Sequence, residues 1–290
     1  MRQAFIERNF QRKTMAVIDQ ANEIIEDYQA QGFTLTLRQL YYQFVARDLI
    51  PNTQQSYDRI GSILNDARLA GLVDWEAIED RTRELSVNLR LRDPRHGLEL
   101  LRDSWYGIDM WANQEKRVEV WIEKEALAGV IAGVCDELDV PYFSCRGYVS
   151  QSEQWRAYRR HAAQQETIIL HLGDHDPSGI DMTRDNQDRL DLFHGYRESE
   201  VERIALNMDQ VEEYGPPPNF AKQTDSRFEA YAAEFGTDSW ELDALEPAVL
   251  VELIREKVAN HCDADLWAEK ETERDEGLAL LTKFIDGLEE

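Results

Sequence analysis

Apolar runs that alternate with helical segments fill the second part of the chain and limit the folds open to it. From Arg117 onward, short stretches rich in Val, Ile and Leu are separated by longer stretches with helical spacing. The apolar runs lie in RVEVWIEKEAL, VPYFSCRGY, TIILHLGDHD and VERIALN. Strands that alternate with helices pair in parallel and are buried on both faces. The pattern therefore predicts an α/β domain, placed at residues 117–290, whose ligands bind at the carboxyl ends of its strands.

Three acids follow two of these predicted strands. Glu123 closes the first strand, and Asp174 and Asp176 close the third, so all three are expected at one edge of the sheet. Carboxylates held this close need a counter-charge, and such hard oxygen ligands suit Mg²⁺ or Mn²⁺. The alternative is that the two aspartates only cap the following helix. His175, which points the other way in an extended segment, is expected to be structural.

The first 80 residues have a helical pattern. Apolar residues from Met15 to Ile25 recur at helical spacing before Gly32. Thr36 is a good N-cap for a helix over about residues 37–47, and Pro51-Asn52 is typical of a turn.

A second helix is expected to end near Gly71 and to be followed by a short strand at 72–75. Two helices around a turn and a strand indicate a winged-helix DNA-binding domain over residues 1–80. Arg59 and Arg68 are then expected to face a duplex. A helical pair that only packs on the rest of the protein fits the same pattern.

The net charge of −25 disfavours nucleic acid as a partner, but its distribution does not. The first 110 residues hold nearly equal numbers of acids and bases, so the excess negative charge lies in the later part of the chain. Most bases are Arg, whose forked guanidinium suits phosphate contacts. Residues 81–116 carry several of these Arg residues and are interpreted as a connector. The acidic tail at 246–290 is expected to be helical and to serve packing or a partner contact.

The chain has no run of roughly 18 apolar residues, as a membrane span requires, and its first residues lack the apolar middle of a signal peptide. We therefore expect a cytoplasmic protein with no membrane partner.

Four segments carry a resemblance to a known family. They are WIEKEAL at 121–127, CRGY at 145–148, GDHDPSGID at 173–181 and ELDAL at 241–245. They resemble segments of the Toprim domain in the A subunit of type IIB DNA topoisomerase (topoisomerase VI) and in the related meiotic double-strand-break transesterase. In that family the Toprim domain follows a winged-helix domain whose nucleophilic tyrosine lies in an Arg-x-x-(Tyr/Phe)-Tyr motif. LRQLYYQ is similar to that motif and aligns Arg38 and Tyr42 with its first and last positions.

The resemblance implies Mg²⁺-dependent cleavage of double-stranded DNA by a homodimer, with Tyr42 as the nucleophile and Glu123 as a catalytic and metal-binding residue. Arg38, one turn before Tyr42, is expected to help the tyrosine lose its proton. Arg146, in CRGY, joins Arg59 and Arg68 among the expected DNA-binding residues.

The chain is short for that family and has no recognisable nucleotide-binding motif, so ATP-driven strand passage requires a separate ATPase subunit. A stand-alone relative of the kind carried by mobile elements fits these features. Two alternatives remain open: a Toprim endonuclease that uses water, and a DNA-binding module without activity.

Overall fold

A computed structural model describes residues 1–78, 90–162, 165–194 and 199–289 of this chain. The protein is a mixed α/β structure in which helices precede a four-stranded parallel sheet. The predicted α/β class is therefore confirmed.

The N-terminal part consists of α1 (Arg12–Ala30), α2 (Leu37–Ala46) and α3 (Gln54–Leu69) around an apolar core of their own. The predicted cap at Thr36 is confirmed, because its hydroxyl accepts a hydrogen bond from the Gln39 backbone while the Gln39 side chain accepts one from the Thr36 backbone. This reciprocal pair satisfies two amides that the first turn leaves unpaired.

The predicted strand at 72–75 is wrong: residues 71–78 contain no strand. Val73 is fully buried in the helical core, and the backbone amide of Trp75 donates to the carbonyl of Met1 at 3.1 Å. The apolar character of this segment therefore serves helix packing rather than strand pairing.

The connector predicted at 81–116 is partly helical. Residues 81–89 lie outside the described part of the chain, but α4 (Pro94–Leu100) continues into a short π-helix (Leu101–Trp105). Both pack on the C-terminal helix α11 (Ala264–Asp286). A methyl group on Gly277 of α11 would lie 1.6 Å from the Tyr106 hydroxyl, so a larger residue there would displace the Tyr106 ring.

The sheet has the strand order β2-β1-β3-β4, and all its neighbours pair in parallel. The strands are β1 (Lys116–Ile122), β2 (Tyr142–Ser144), β3 (Glu166–Leu172) and β4 (Ser199–Ala205). The helices between them are α5 (Glu125–Glu137), α6 (Gln151–His161) and α7 (Pro177–His194).

Alternate residues of the central strands bury opposite faces of the sheet. Val120 and Leu170 face the core formed with α5 and with α10 (Pro247–Ala259), whereas Trp121 and Ile169 face the core formed with α6 and α7. Burial of both faces accounts for the nearly unbroken apolar runs in the sequence. The helices α10 and α11 also confirm the expected helical tail.

A buried carboxylate lies in the centre of β1. Glu119 accepts hydrogen bonds from Arg160 of α6 and from the Trp121 indole, and it lies 3.1 Å from His161 Nε2. Burial alone raises the pKa of Glu119, but hydrogen bonds from His161 and Arg160 outweigh burial and lower it to about 2.

The remaining elements follow β4. They are α8 (Met208–Tyr214), β5 (Asn219–Phe220), α9 (Phe228–Phe235), β6 (Asp238–Ser239) and a 3-10 turn at Leu242–Ala244. The strands β5 and β6 form an antiparallel pair. Over the described residues, no helix is long and apolar enough to span a bilayer.

Candidate active site

The carboxyl ends of β1 and β3 bring two of the predicted acids into contact. The backbone amide of Glu123 donates to the carbonyl of Leu172, and the backbone amide of Asp174 donates to Glu123 Oε2 at 2.8 Å. The convergence of Glu123 and Asp174 expected from the sequence is therefore observed.

Asp176 has the helix-capping contacts that the alternative interpretation expected. Its Oδ1 accepts hydrogen bonds from the backbone of Gly179 at 2.6 Å and from the Ser178 hydroxyl at 2.9 Å. A methyl group on Gly179 would lie 2.1 Å from the carbonyl oxygen of Asp174, so the tight turn requires glycine at this position. Asp176 also raises the pKa of Glu123, although burial is the main cause of that shift. Capping and proximity to the other acids thus occur together.

His175, between the two aspartates, is structural, as expected. Its side chain is 1% exposed and packs against Phe235 and Trp240. Its Nδ1 lies 2.8 Å from the Tyr231 hydroxyl. Its backbone exchanges hydrogen bonds with Trp240. These bonds join the turn at residues 173–179, called the acidic turn here because it carries Asp174 and Asp176, to the segment that follows β6.

Lys124 forms ion pairs with three carboxylates at this edge of the sheet. Its ammonium group lies 2.9 Å from Asp174, 2.7 Å from Glu241 and 2.8 Å from Asp243. Burial raises the pKa of Asp174 to about 7, although Lys124 acts in the opposite direction. The side chain of Lys124 is thus a positive counter-charge supplied by the protein itself.

Arg203 of β4 binds the backbone of the acidic turn. Its guanidinium donates to the carbonyls of Gly173, Asp174, Gly179 and Leu206 at 2.7–3.1 Å. Burial lowers the pKa of Arg203 to about 10, whereas the neighbouring acids act to raise it. A buried charge with this many acceptors fixes the backbone that presents the acids.

Tyr42 lies on the buried face of α2 and is 4% exposed. The guanidinium carbon of Arg38 is 5.8 Å from the centre of the Tyr42 ring. Burial raises the pKa of Tyr42, and Glu241 and Asp243 raise it further, whereas Arg38 lowers it. Arg38 also forms ion pairs with Glu241 and Asp243, so much of its charge is already compensated. Burial and the two acids together raise the pKa of Tyr42 more than Arg38 lowers it. In this arrangement Arg38 therefore does not make Tyr42 easier to deprotonate than a free tyrosine.

A cavity of about 520 Å³ lies between α2 and the carboxyl end of the sheet. Tyr42 and Arg38 line it from the helical side, and Asp174, Asp176 and Lys124 line it from the sheet side. The predicted nucleophile and two of the predicted metal ligands thus face one space within a single chain.

The carboxylate oxygens of Glu123, Asp174 and Asp176 are the type of ligand that a hard divalent cation prefers. One oxygen of each acid accepts a hydrogen bond from the protein, and the second oxygen of each has no hydrogen-bond donor within the described residues. However, no three Asp, Glu, His or Cys side chains of the described segments are grouped so as to hold a metal ion. Asp174 pairs with the Lys124 ammonium instead. Metal binding at Glu123, Asp174 and Asp176 therefore requires these three side chains to come closer together than they lie in this structure.

The three arginines predicted to contact DNA differ in their surroundings. Arg59 is exposed on α3, as expected. Arg68 was expected to be exposed and is not: it is half-buried, stacks on Trp75 and donates to the carbonyls of Trp75 and Ile78. Arg146 follows β2, with 69% of its side chain exposed, and pairs with Glu125. Arg59 and Arg146 are therefore accessible to a polyanion, whereas Arg68 stabilises its own domain.

Sequence reasoning missed four charged residues of this site. Lys124, Glu241 and Asp243 lie in WIEKEAL and ELDAL, two segments that carry the family resemblance, but the sequence predicts no role for them. Arg203 had a usable signal, since a charged residue inside the apolar run VERIAL of a buried strand needs partners.

The chain matches no protein-family model. A search of curated proteins also finds no match.

Proposed function

We propose that this protein cleaves double-stranded DNA by tyrosine transesterification, with Tyr42 as the nucleophile. The observation that carries the proposal is that Tyr42 lines the same cavity as Asp174 and Asp176. The resemblance of the sequence motifs supports Tyr42 as the nucleophile, although in that family the tyrosine of one subunit works with the metal site of the other. In that assignment α1–α3 correspond to a winged-helix domain and the parallel sheet to a Toprim domain.

The reaction exchanges one phosphodiester for another. The Tyr42 oxygen bonds to phosphorus, the bond from phosphorus to the leaving 3′ oxygen breaks, and the tyrosine proton is transferred overall to that oxygen. The products are a phosphotyrosyl link and a free 3′ hydroxyl. Because the phosphodiester is exchanged for a phosphotyrosyl bond and is not hydrolysed, the break can be resealed by the reverse reaction.

Glu123, Asp174 and Asp176 are the residues proposed to hold Mg²⁺ or Mn²⁺. Such an ion, when bound, stabilises negative charge on the phosphate and the leaving oxygen. The turn that carries the two aspartates is braced by Arg203 and Gly179, so these acids are presented in a fixed position.

Arg38 is proposed to contact the substrate phosphate. In the structure its guanidinium pairs with Glu241 and Asp243, which also raise the pKa of Tyr42. A phosphate entering the cavity competes with these carboxylates for the forked guanidinium. Substrate binding thus separates Arg38 from the acids and places positive charge beside the tyrosine.

The resemblance also leads us to propose a homodimer that cuts both strands and a separate ATPase subunit for strand passage. Arg59 and Arg146 are the proposed contacts to the DNA backbone, because both are exposed. An endonuclease that activates water is the competing function, and the raised pKa of the buried Tyr42 favours it.

A trapping experiment tests the proposal. Protein is incubated with supercoiled DNA and Mg²⁺ or Mn²⁺ and then denatured, and protein-linked DNA ends are measured. Tyr42→Phe is expected to remove both the covalent adduct and the breaks, because it deletes the attacking oxygen and keeps the ring. Tyr57→Phe is the matched control, since Tyr57 lines the same cavity and its hydroxyl makes no hydrogen bond among the described residues. It is expected to retain both.

The acids are tested in the same assay. Asp176→Asn keeps a side chain that can cap α7 but removes the negative charge, so it is expected to abolish cleavage while the circular dichroism spectrum is unchanged. Cleavage by Tyr42→Phe that leaves free ends would assign the water-using reaction. Wild-type protein that binds DNA but never breaks it with either ion would contradict the enzymatic proposal.

A further inference from the structure

An exposed aromatic side chain stands at the mouth of the cavity. Phe220 is 88% exposed, yet it is one of the residues that line the cavity. Its place beside a candidate active site makes this ring available to contact a ligand bound there.

The backbone of Phe220 is held rigidly. Three consecutive prolines precede β5, and Phe220 pairs with Asp238 of β6. The next residue, Ala221, donates its backbone amide to Thr237 at 2.9 Å. Proline fixes the backbone on one side and the ladder fixes it on the other. The exposure of Phe220 is therefore not that of a loose loop.

The orientation of Phe220 follows from its neighbour. Adjacent residues of a strand point to opposite sides. The side chain of Asn219 points inward, where it accepts a hydrogen bond from Asn52 and donates one to Glu241 at 3.4 Å. The ring of Phe220 consequently lies on the opposite side of β5 from the Asn219 side chain, in solvent.

This aromatic is coupled to the acidic turn. The strand β6 leads directly into Trp240, whose backbone amide and carbonyl both bond to His175 at 2.8–2.9 Å. His175 lies between Asp174 and Asp176. A ligand that contacts Phe220 is therefore held at a fixed position relative to these two acids.

The surroundings of Phe220 fit a nucleobase better than an apolar protein surface. Among the residues lining the cavity, all of them within the described segments, Phe220 is the one exposed aromatic; Tyr41, Tyr42 and Trp240 are buried. The other exposed residues that line the cavity are all polar: Arg38, Thr53, Gln54 and Lys222. A nucleotide has a base with an apolar face to stack on a ring and polar edges for an amide, and a phosphate for an ammonium group.

We infer that Phe220 stacks on a nucleobase at the mouth of the cavity, after that base has separated from its neighbour in the duplex. This inference rests on the proposed function, because it takes DNA as the substrate. It adds that the protein distorts DNA locally where it binds, since a ring can reach the face of a paired base only when the stack opens.

The test uses Tyr42→Phe protein, which cannot form the adduct, and short duplexes carrying 2-aminopurine at successive positions. The fluorescence of this base rises when it leaves the stack. We expect a rise at one position on saturation with Tyr42→Phe and no rise when Phe220→Ala is added. Loss of the stacking contact should weaken binding about 5- to 150-fold. Adding Phe284→Ala, an exposed phenylalanine of α11 that does not line the cavity, should change neither quantity.

Three outcomes would overturn the inference. The first is an equal rise with and without Phe220→Ala, and the second is bound DNA that gives no rise at any position. The third is a full rise with Phe220→Leu, because an aliphatic wedge would then suffice. If base opening depends on Phe220 but wild-type protein forms no adduct, only the transesterase proposal fails. If the protein binds no DNA, both fail.

Discussion

Replacing Lys124 by methionine should destabilise the protein and at the same time strengthen its binding of divalent cations. The Lys124 ammonium lies within 3 Å of three carboxylates, and 17% of the side chain is exposed. Removing one partner of a largely buried ion pair costs about 3–5 kcal/mol, because the remaining charges are left uncompensated. Here Arg38 still pairs with two of the three acids, so we expect a loss near the lower figure, about 3 kcal/mol.

The measurement is thermal unfolding with EDTA and with Mn²⁺. A loss of about 3 kcal/mol corresponds to a fall in Tm of about 6–12 °C for a chain of this size. Mn²⁺ can take the place of the missing ammonium, and a cation at 100 times its Kd adds about 2.7 kcal/mol. The Tm of Lys124→Met should therefore rise more in Mn²⁺ than that of the wild type does.

Lys222→Met is the matched control. It removes the same charge from the rim of the same cavity, but Lys222 is exposed and forms no ion pair within the described residues. The reasoning is refuted if Lys124→Met melts at the same temperature as Lys222→Met in EDTA. It is equally refuted if Mn²⁺ raises the Tm of both variants by the same amount.

Three further predictions concern the fold and the DNA contacts. Gly179→Ala should lower the Tm, because its Cβ would lie 2.1 Å from a backbone oxygen of the acidic turn, whereas Gly133→Ala on the open face of α5 should stabilise by about 0.5–1 kcal/mol. The folded-state pKa of Glu119 is lowered, so the stability it provides is present above pH 4.5 and is lost as the pH falls towards 2; in urea titrations, Glu119→Gln should lose less stability than the wild type over that range. Arg59→Ala should lower the salt slope of DNA binding by about one, whereas Arg68→Ala should lower the Tm and leave that slope unchanged.

Much of the fold could be predicted because its signals are local. The helix that begins after Thr36 has a cap and an apolar face in its own sequence, and TIILHL has the apolar continuity of a strand buried on both faces. The segment 72–75 has the same apolar character but no strand beside it. Whether a short apolar run pairs or packs depends on which neighbours it finds, and the sequence of the run does not contain that information.

The site could be predicted only where its residues mark the ends of strands. Glu123 and Asp174 were placed correctly, because the ends of parallel strands meet at one edge. The role of Lys124 depends on Glu241 and Asp243, which lie about 120 positions further along the chain and have no sequence pattern that links them to it. Phe220 follows a run of prolines and has no periodic signal, so only the structure brings it to the cavity.

The packing of Tyr106 against Gly277 also bears on how the chain folds during synthesis. About 170 residues separate the two, and at roughly 5–20 residues per second the ribosome needs about 10–35 s to make them. The ion pair between Arg38 and Glu241 takes longer still to form, because the two residues lie 203 positions apart. The N-terminal helices have their own apolar core and can therefore fold first. The cavity, and the packing of residues 94–106 on α11, form only late in translation. A nascent chain is thus expected to carry a folded helical domain before it carries an assembled site.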